Sequence, residues 1–326
     1  MPTVASAPQV LPALLALGLA LFACTALALA GERVQHALFG RSLTPARRRL
    51  VRCAALACLA GASLGGGWAV AGAPLVDLLT TTAPRPLVLL GEVHDNAQQH
   101  ALRLQAFEAL LASGARPALL MEQFDRERQA DLDRSRAQPG ANADALIAAA
   151  ATAGARWHWP FYKPFIALAL QNGLPIVAAN VSRADARRVV AEGLQAMRFD
   201  ERVPPDITAA QAEIIVASHC GAVDAAQGLR MAAAQVARDQ FMASLVERYA
   251  ERGVVLLAGN GHVRRDIGVP RWLGAPLRSR VLAIGLLEEG DDSHAAYDRT
   301  LTTPRQPRED PCAALRPAPR PAGATT

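Results

Sequence analysis

Short apolar runs that stop abruptly in polar residues set the pattern of this chain. Leu87–Leu90 is followed by Gly91, Glu92, His94 and Asp95. Ala118–Met121 gives way to Glu122 and Gln123, Ile176–Ala179 to Asn180, and Val254–Ala258 to Gly259-Asn260-Gly261-His262. Val281–Leu287 reads as a fifth strand. Uninterrupted aliphatic runs of this length are the signature of strands buried on both faces of a parallel sheet. Between them the period changes. Asn96–Ala112 carries Leu102, Leu104, Phe107, Leu110 and Leu111 on one helical stripe. Further helices are predicted near 125–136, 143–153, 183–196, 206–218 and 222–251, and another after the aromatic segment 157–165. This alternation predicts an α/β fold, a mostly parallel sheet with helices on both faces. In such sheets every strand ends on one edge, and ligands bind there. The topology therefore gathers Glu92, His94, Glu122, Gln123, Asn180, Asn260 and His262 at one place.

The ends of the chain follow other rules. Residues 1–78 read as an export or anchor region with two apolar segments, 11–30 and 53–76, separated by a basic loop carrying Arg33, Arg41, Arg47, Arg48, Arg49 and Arg52. One interpretation is a transmembrane hairpin, oriented by the loop charge. The other is a signal peptide beginning near Arg47, with Ala69-Val70-Ala71 as the cleavage site. Either places the α/β domain, residues 79–301, on the extracytoplasmic (periplasmic) side of a membrane. From Thr302 to Thr326, Pro, Arg and Ala dominate, the composition of a disordered tail.

Charge adds little. The net charge of +5 and the pI near 9.3 come from arginine concentrated toward the two ends, and Lys163 is the sole lysine. No nucleic-acid motif accompanies it, so nucleic acid is not an expected partner. Cys220 and Cys312 are the cysteines outside the N-terminal region, and whether they pair is left open by the sequence. No Cys-x-x-Cys occurs, which excludes a zinc ribbon and covalent c-type haem.

Two groups of residues carry candidate chemistry. Gly91-Glu92-x-His94 and Gly259-x-Gly261-His262 each deliver a histidine just past a buried strand; with Glu122 they supply acid–base groups or, with His219 as a further candidate, ligands for a divalent metal. His219 is equally placed to cap a helix end. The second group is Trp157-His158-Trp159-Pro160-Phe161-Tyr162-Lys163-Pro164-Phe165, which holds five of the chain's fifteen aromatic residues. Its prolines argue against an ordinary helix start, and its aromatics suit the wall of a planar apolar ligand. Tyr162 or His158 would then ligate iron, and Lys163 would meet a propionate. Arg238 and Asp239, inside the longest helical stretch, read as a solvated surface pair.

The motifs Leu-Gly-Glu-Val-His-Asp-Asn (90–96), Met-Glu-Gln-Phe (121–124), Trp-x-Trp-Pro-x-Tyr-x-Pro (157–164), Gly-Leu-Pro-Ile-Val-Ala-Ala-Asn (173–180), His219-Cys220-Gly221, Arg238-Asp239-x-x-Met242-Ala243 and Gly-Asn-Gly-His-Val-Arg-Arg-Asp-x-Gly-Val-Pro (259–270) resemble, in order, those of the ChaN-like haem-binding lipoproteins. The resemblance implies a haem-binding role in iron uptake, iron held by Tyr162, and a face-to-face haem pair across a homodimer. A porphyrin would rest on Trp157, Trp159 and Phe161, with Lys163, Arg264 or Arg265 at its propionates. A lipoprotein cysteine motif is absent. The Gly-Glu-x-His and Gly-x-x-His pattern is also similar to a wider superfamily of erythromycin-esterase-like and Tiki-like proteins. That likeness implies an alternative, a hydrolase using Glu92, His94, Glu122 and His262.

Overall fold

A computed structural model describes residues 75–80, 86–153, 157–310 and residue 312. Apart from residues 75 and 76, both N-terminal apolar segments, and with them the choice between anchor and signal peptide, lie outside the described residues. Among the described residues, no helix is long and apolar enough to cross a membrane.

Six parallel strands form one sheet: β1 (Leu87–Leu90), β2 (Ala118–Asp125), β3 (Ile176–Asn180), β4 (Val254–Leu257), β5 (Val281–Glu288) and β6 (Arg299–Thr303), in the order β3-β2-β4-β1-β5-β6. The connecting helices are α1 (Ala97–Ala112), α2 (Gln129–Arg136), α3 (Ala143–Ala150), α4 (Trp159–Gln171), α5 (Arg183–Glu192), α6 (Pro205–Ser218), α7 (Ala225–Tyr249), α8 (Asn260–Val263) and α9 (Ala275–Arg280). Strand alternation divides the core. Leu87 and Leu89, Ala118 and Leu120, Val177 and Ala179, and Val254 and Leu256 share one cluster with Met242, Leu245 and Val246 of α7. The alternate positions Val88, Leu90, Leu119, Met121, Val255 and Leu257 are just as buried, so the sheet is covered on both faces.

Three features depart from the sequence expectations. The aromatic segment does start a helix: Pro160 sits in the first turn of α4, where no N–H is required, and Pro164 is accommodated one turn later. The sheet has a sixth strand, β6, whose half-exposed Arg-Thr-Leu-Thr-Thr lacks an apolar run. The tail expected to be disordered from Thr302 continues β6 to Thr303 and stays attached beyond it. There Arg308 forms ion pairs with both Asp95 and Glu288, and Cys312 is disulfide-bonded to Cys220 at the turn between α6 and α7.

The strand order divides the carboxyl edge of the sheet. Over β1, β5 and β6 the edge is closed by side-chain bonds: Asn96 donates to Glu288 Oε1 (2.9 Å) and Gln99 donates to Thr303 Oγ1 (3.0 Å). Over β3, β2, β4 and β1 it opens into a cleft.

Candidate functional site

Glu92 leaves β1 with its side chain turned inward and is 2% exposed. Its carboxylate is supported from three elements. Oε1 accepts from the Tyr162 hydroxyl of α4 (2.5 Å) and from His94 Nδ1 (2.8 Å), while Oε2 pairs with the Arg103 guanidinium of α1 and lies 3.6 Å from His100 Nδ1. Arg103 is wholly buried; burial brings its pKa down to about 10, which still leaves it charged at neutral pH. Burial also pushes His100 down to about 4, so that ring is neutral and donates from Nε2 to the His94 carbonyl (3.0 Å). Because Glu92 accepts at Nδ1 of His94, the lone pair of that ring is on Nε2. The His94 side chain is 48% exposed and stands edge-on to Trp157, with centroids 4.8 Å apart.

Glycine makes room for this imidazole. A Cβ on Gly259 would stand 3.0 Å from His94 Cε1 and 3.1 Å from Nε2. The Gly259 N–H donates to Glu122 Oε2 (2.7 Å), and Glu122 Oε1 lies 3.7 Å from His262 Nε2. On its other side His262 Nδ1 donates to Asp239 Oδ1 (2.6 Å), and Asp239 Oδ2 accepts from Gln211 (3.4 Å). Burial works against charge on all three groups. It pushes Asp239 up to about 6, whereas the Asp239 and Glu122 carboxylates overcome it at His262 and raise that ring above its ordinary value. Glu122 is held below the usual carboxylate range, because His262, His94 and the Gly259 amide outweigh its burial. The cleft of about 390 Å³ thus presents two imidazoles, each fixed from behind by a buried carboxylate, with Glu122 between them.

Gln123, Asp125, Asn180 and Arg238 line the far wall and Arg183 the rim. Other sequence candidates lie elsewhere. Tyr162 is 0% exposed beneath the cleft, its ring in edge contact with His100 and Trp157. His158 is exposed at the start of α4 against Phe161, and Trp159 packs on Phe124 and faces a separate shallow groove. Lys163 pairs with Asp144, Arg264 with Asp266 and Arg265 with Asp298. His219 donates to the Ile215 carbonyl and caps α6. Asn260 bonds β5 through Leu286 rather than facing the cleft. Among the described residues, no group of three or more His, Cys, Asp or Glu is arranged to hold a metal ion.

Sequence reasoning missed Arg103, Arg183 and the true position of Arg238 and Asp239. A charge in a helix interior reads as solvated unless its partner is known, and the partners of Arg103, Arg238 and Asp239 lie on other elements. Asp239 is fully buried rather than a surface residue.

Residues 78–273 match the family of haem-binding uptake proteins of the Tiki superfamily, ChaN. The chain belongs to that family. A structure of cofacial haem binding to ChaN of Campylobacter jejuni is similar to it at 22% identity, with a TM-score of 0.56, covering 67% of this chain and 86% of that one. The type III effector HopBA1 (14% identity, TM-score 0.40, 71% and 94% covered) and an erythromycin esterase in its open conformation (15%, 0.35, 67% and 72%) are more distant. No curated protein matches the chain.

Family membership implies haem, and the side chains can be tested against it. An axial ligand must face open space. Tyr162 does not: its hydroxyl is spent on Glu92, and burial pushes the phenol well above its ordinary pKa, away from the tyrosinate an iron ligand would be. His94 does, with a free Nε2, a carboxylate behind Nδ1 and the aromatic edge of Trp157 beside it. Of the two, His94 is the side chain that faces the open cleft of this ChaN family member.

Proposed function

We propose that this protein binds haem at the mouth of the cleft, with His94 toward the iron, as an exported or membrane-anchored member of an iron-uptake system. One observation carries the assignment: a half-exposed imidazole whose Nδ1 is bonded to a buried, arginine-paired carboxylate. Metal-ligating histidines are oriented in this way, and histidine is a common proximal ligand of haem. When bound, haem would supply iron as the ligated centre. Glu92 fixes the His94 tautomer, Arg103 and Tyr162 fix Glu92, and Trp157 offers an apolar edge to the ring. A ring held from one side leaves its far face to a second copy of the chain. Export is supported by the two apolar segments flanking a basic loop and by the Cys220–Cys312 disulfide, a bond typical of oxidising compartments. The test is a hemin titration of the full chain in detergent, followed by absorption. His94→Ala is expected to abolish the saturable spectrum and Tyr162→Phe to preserve it. The reverse result would return the iron to Tyr162.

A second reading rests on Glu122, His262 and Asp239. An imidazole held by a buried carboxylate and facing a second one across a polar cleft is an acid–base arrangement suited to hydrolysis. Among the described residues no three such ligands are arranged for a divalent metal, and this reading is argued without one. Glu122→Gln is expected to remove any esterase turnover while leaving hemin binding intact.

A further inference from the structure

The far wall of the cleft has a charge arrangement that neither the iron ligand nor the acid–base trio requires. Arg238 projects from α7 into the cleft, and none of its hydrogen bonds goes to a carboxylate. Its Nε donates to Asn180 Oδ1 (3.1 Å) and its Nη1 to Gln235 Oε1 (3.3 Å). Asn180 is a neutral spacer: its own Nδ2 donates to Asp125 Oδ1 (3.2 Å), so an amide stands between that acid and the arginine. The other Asp125 oxygen accepts from Thr152 (2.6 Å). Glu122 is engaged by Gly259 and His262, and Asp239 by His262 and Gln211. Every carboxylate of the cleft therefore has its own donors, while Arg238 keeps its charge.

Arg183, in the first turn of α5, lines the same cleft, and its side chain makes no hydrogen bond or ion pair with any described residue. Burial lowers the Arg238 pKa, the nearby Glu122, Asp239 and Asp125 charges work against it without bonding the guanidinium, and Arg183 opposes it last. Gln123, 2% exposed on the same wall, lies beside the Tyr162 hydroxyl, yet neither polar atom of its carboxamide reaches hydrogen-bond geometry. A buried carboxamide short of hydrogen bonds, an arginine that no carboxylate bonds directly and a second arginine without a partner leave donors free on one wall, and one incoming anion can take them.

We propose that Arg238, Arg183 and the Gln123 amide form an oxyanion subsite that takes a carboxylate or phosphate of the ligand while its other end lies at His94 and His262. On the haem reading, from which this assignment takes its ligand, the oxyanion is a porphyrin propionate.

The experiment compares hemin with its dimethyl ester, which keeps the ring and iron and removes both carboxylates, on the full chain in detergent. The wild type is expected to bind hemin about 10- to 100-fold more tightly than the ester. Arg238→Met and the surface variant Arg183→Gln should each weaken hemin binding about tenfold or more and leave the ester unchanged. Asn180→Asp, which sets a carboxylate directly on Arg238, should do the same with the arginine still present. Equal affinity for hemin and ester, or variants that weaken both alike, would overturn the subsite. If neither porphyrin binds the wild type, the haem reading has failed and inorganic phosphate decides the subsite. Saturable binding lost in Arg183→Gln and Asn180→Asp upholds it, and no binding overturns it.

Discussion

The hydroxyl of Tyr162 donates to Glu92 Oε1 at 2.5 Å, the same oxygen that receives Nδ1–H of His94. One oxygen thus couples the tyrosine expected from the motif to the histidine that reaches the cleft. On the proposed reading, Tyr162 holds the support of the ligand His94.

That coupling has a measurable cost when removed. Tyr162→Phe deletes a buried hydrogen bond to a carboxylate and is expected to destabilise the domain by about 1–3 kcal/mol in urea unfolding. Because Arg103 still pairs with Glu92, the fold should persist. A variant as stable as wild type would show that the bond contributes nothing.

Gly259 is required by the position of His94. Gly259→Ala places a methyl 3.0 Å from the ring and forces it outward. The expected result is hemin affinity lowered by about tenfold, roughly the 1.4 kcal/mol of one lost orientation, with an unfolding midpoint close to wild type. Unchanged affinity would separate haem from His94.

The Asp239–His262 pair should be visible by NMR. The folded pKa of His262 lies above its unfolded value, so its contribution is complete at acid pH and is lost as pH rises through the folded pKa. In Asp239→Asn the ring should titrate at lower pH, since burial is then opposed by Glu122 alone. Asp239→Ala leaves a buried ring unsupported and should cost about 3 kcal/mol.

The attachment of the tail is acid-labile. Arg308, then burial in opposition, and the Gln306 amide together bring Glu288 from 4.5 down to about 2. A depressed carboxylate stabilises above its unfolded pKa, so this contribution is whole at neutral pH and fades between about pH 4.5 and 2. The thermal midpoints of wild type and Glu288→Gln should differ at pH 7 and converge near pH 2. A constant difference would refute the pairing.

Reduction of Cys220–Cys312, which spans 92 residues, removes a constraint that chain-entropy arguments put at about 4–5 kcal/mol at most. Dithiothreitol should lower the unfolding midpoint of wild type and leave a double Cys→Ser variant unmoved.

Much of the site was legible because a buried parallel strand has to be continuously apolar and then stop. The four runs ending at Leu90, Met121, Ala179 and Ala258 announced both the sheet and the edge where polar residues collect. β6 escaped because an edge strand with one exposed side needs no apolar run. The early start of α4, inside the aromatic segment, escaped because its prolines read as breakers, although a first turn has no use for the missing N–H.

The sequence by itself determined the α/β class, the family and the gathering of Glu92, His94, Glu122 and His262, since each follows from residue order along single strands. The tertiary structure alone decided which face of each group is open. Helical position cannot distinguish a solvated charge from a buried one. Only packing across the sheet places Arg103 on Glu92, Asp239 on His262 and Asn180 between Asp125 and Arg238. The same packing turns Tyr162 inward and His94 outward, because one buried carboxylate has room for both donors but only His94 lies at the surface.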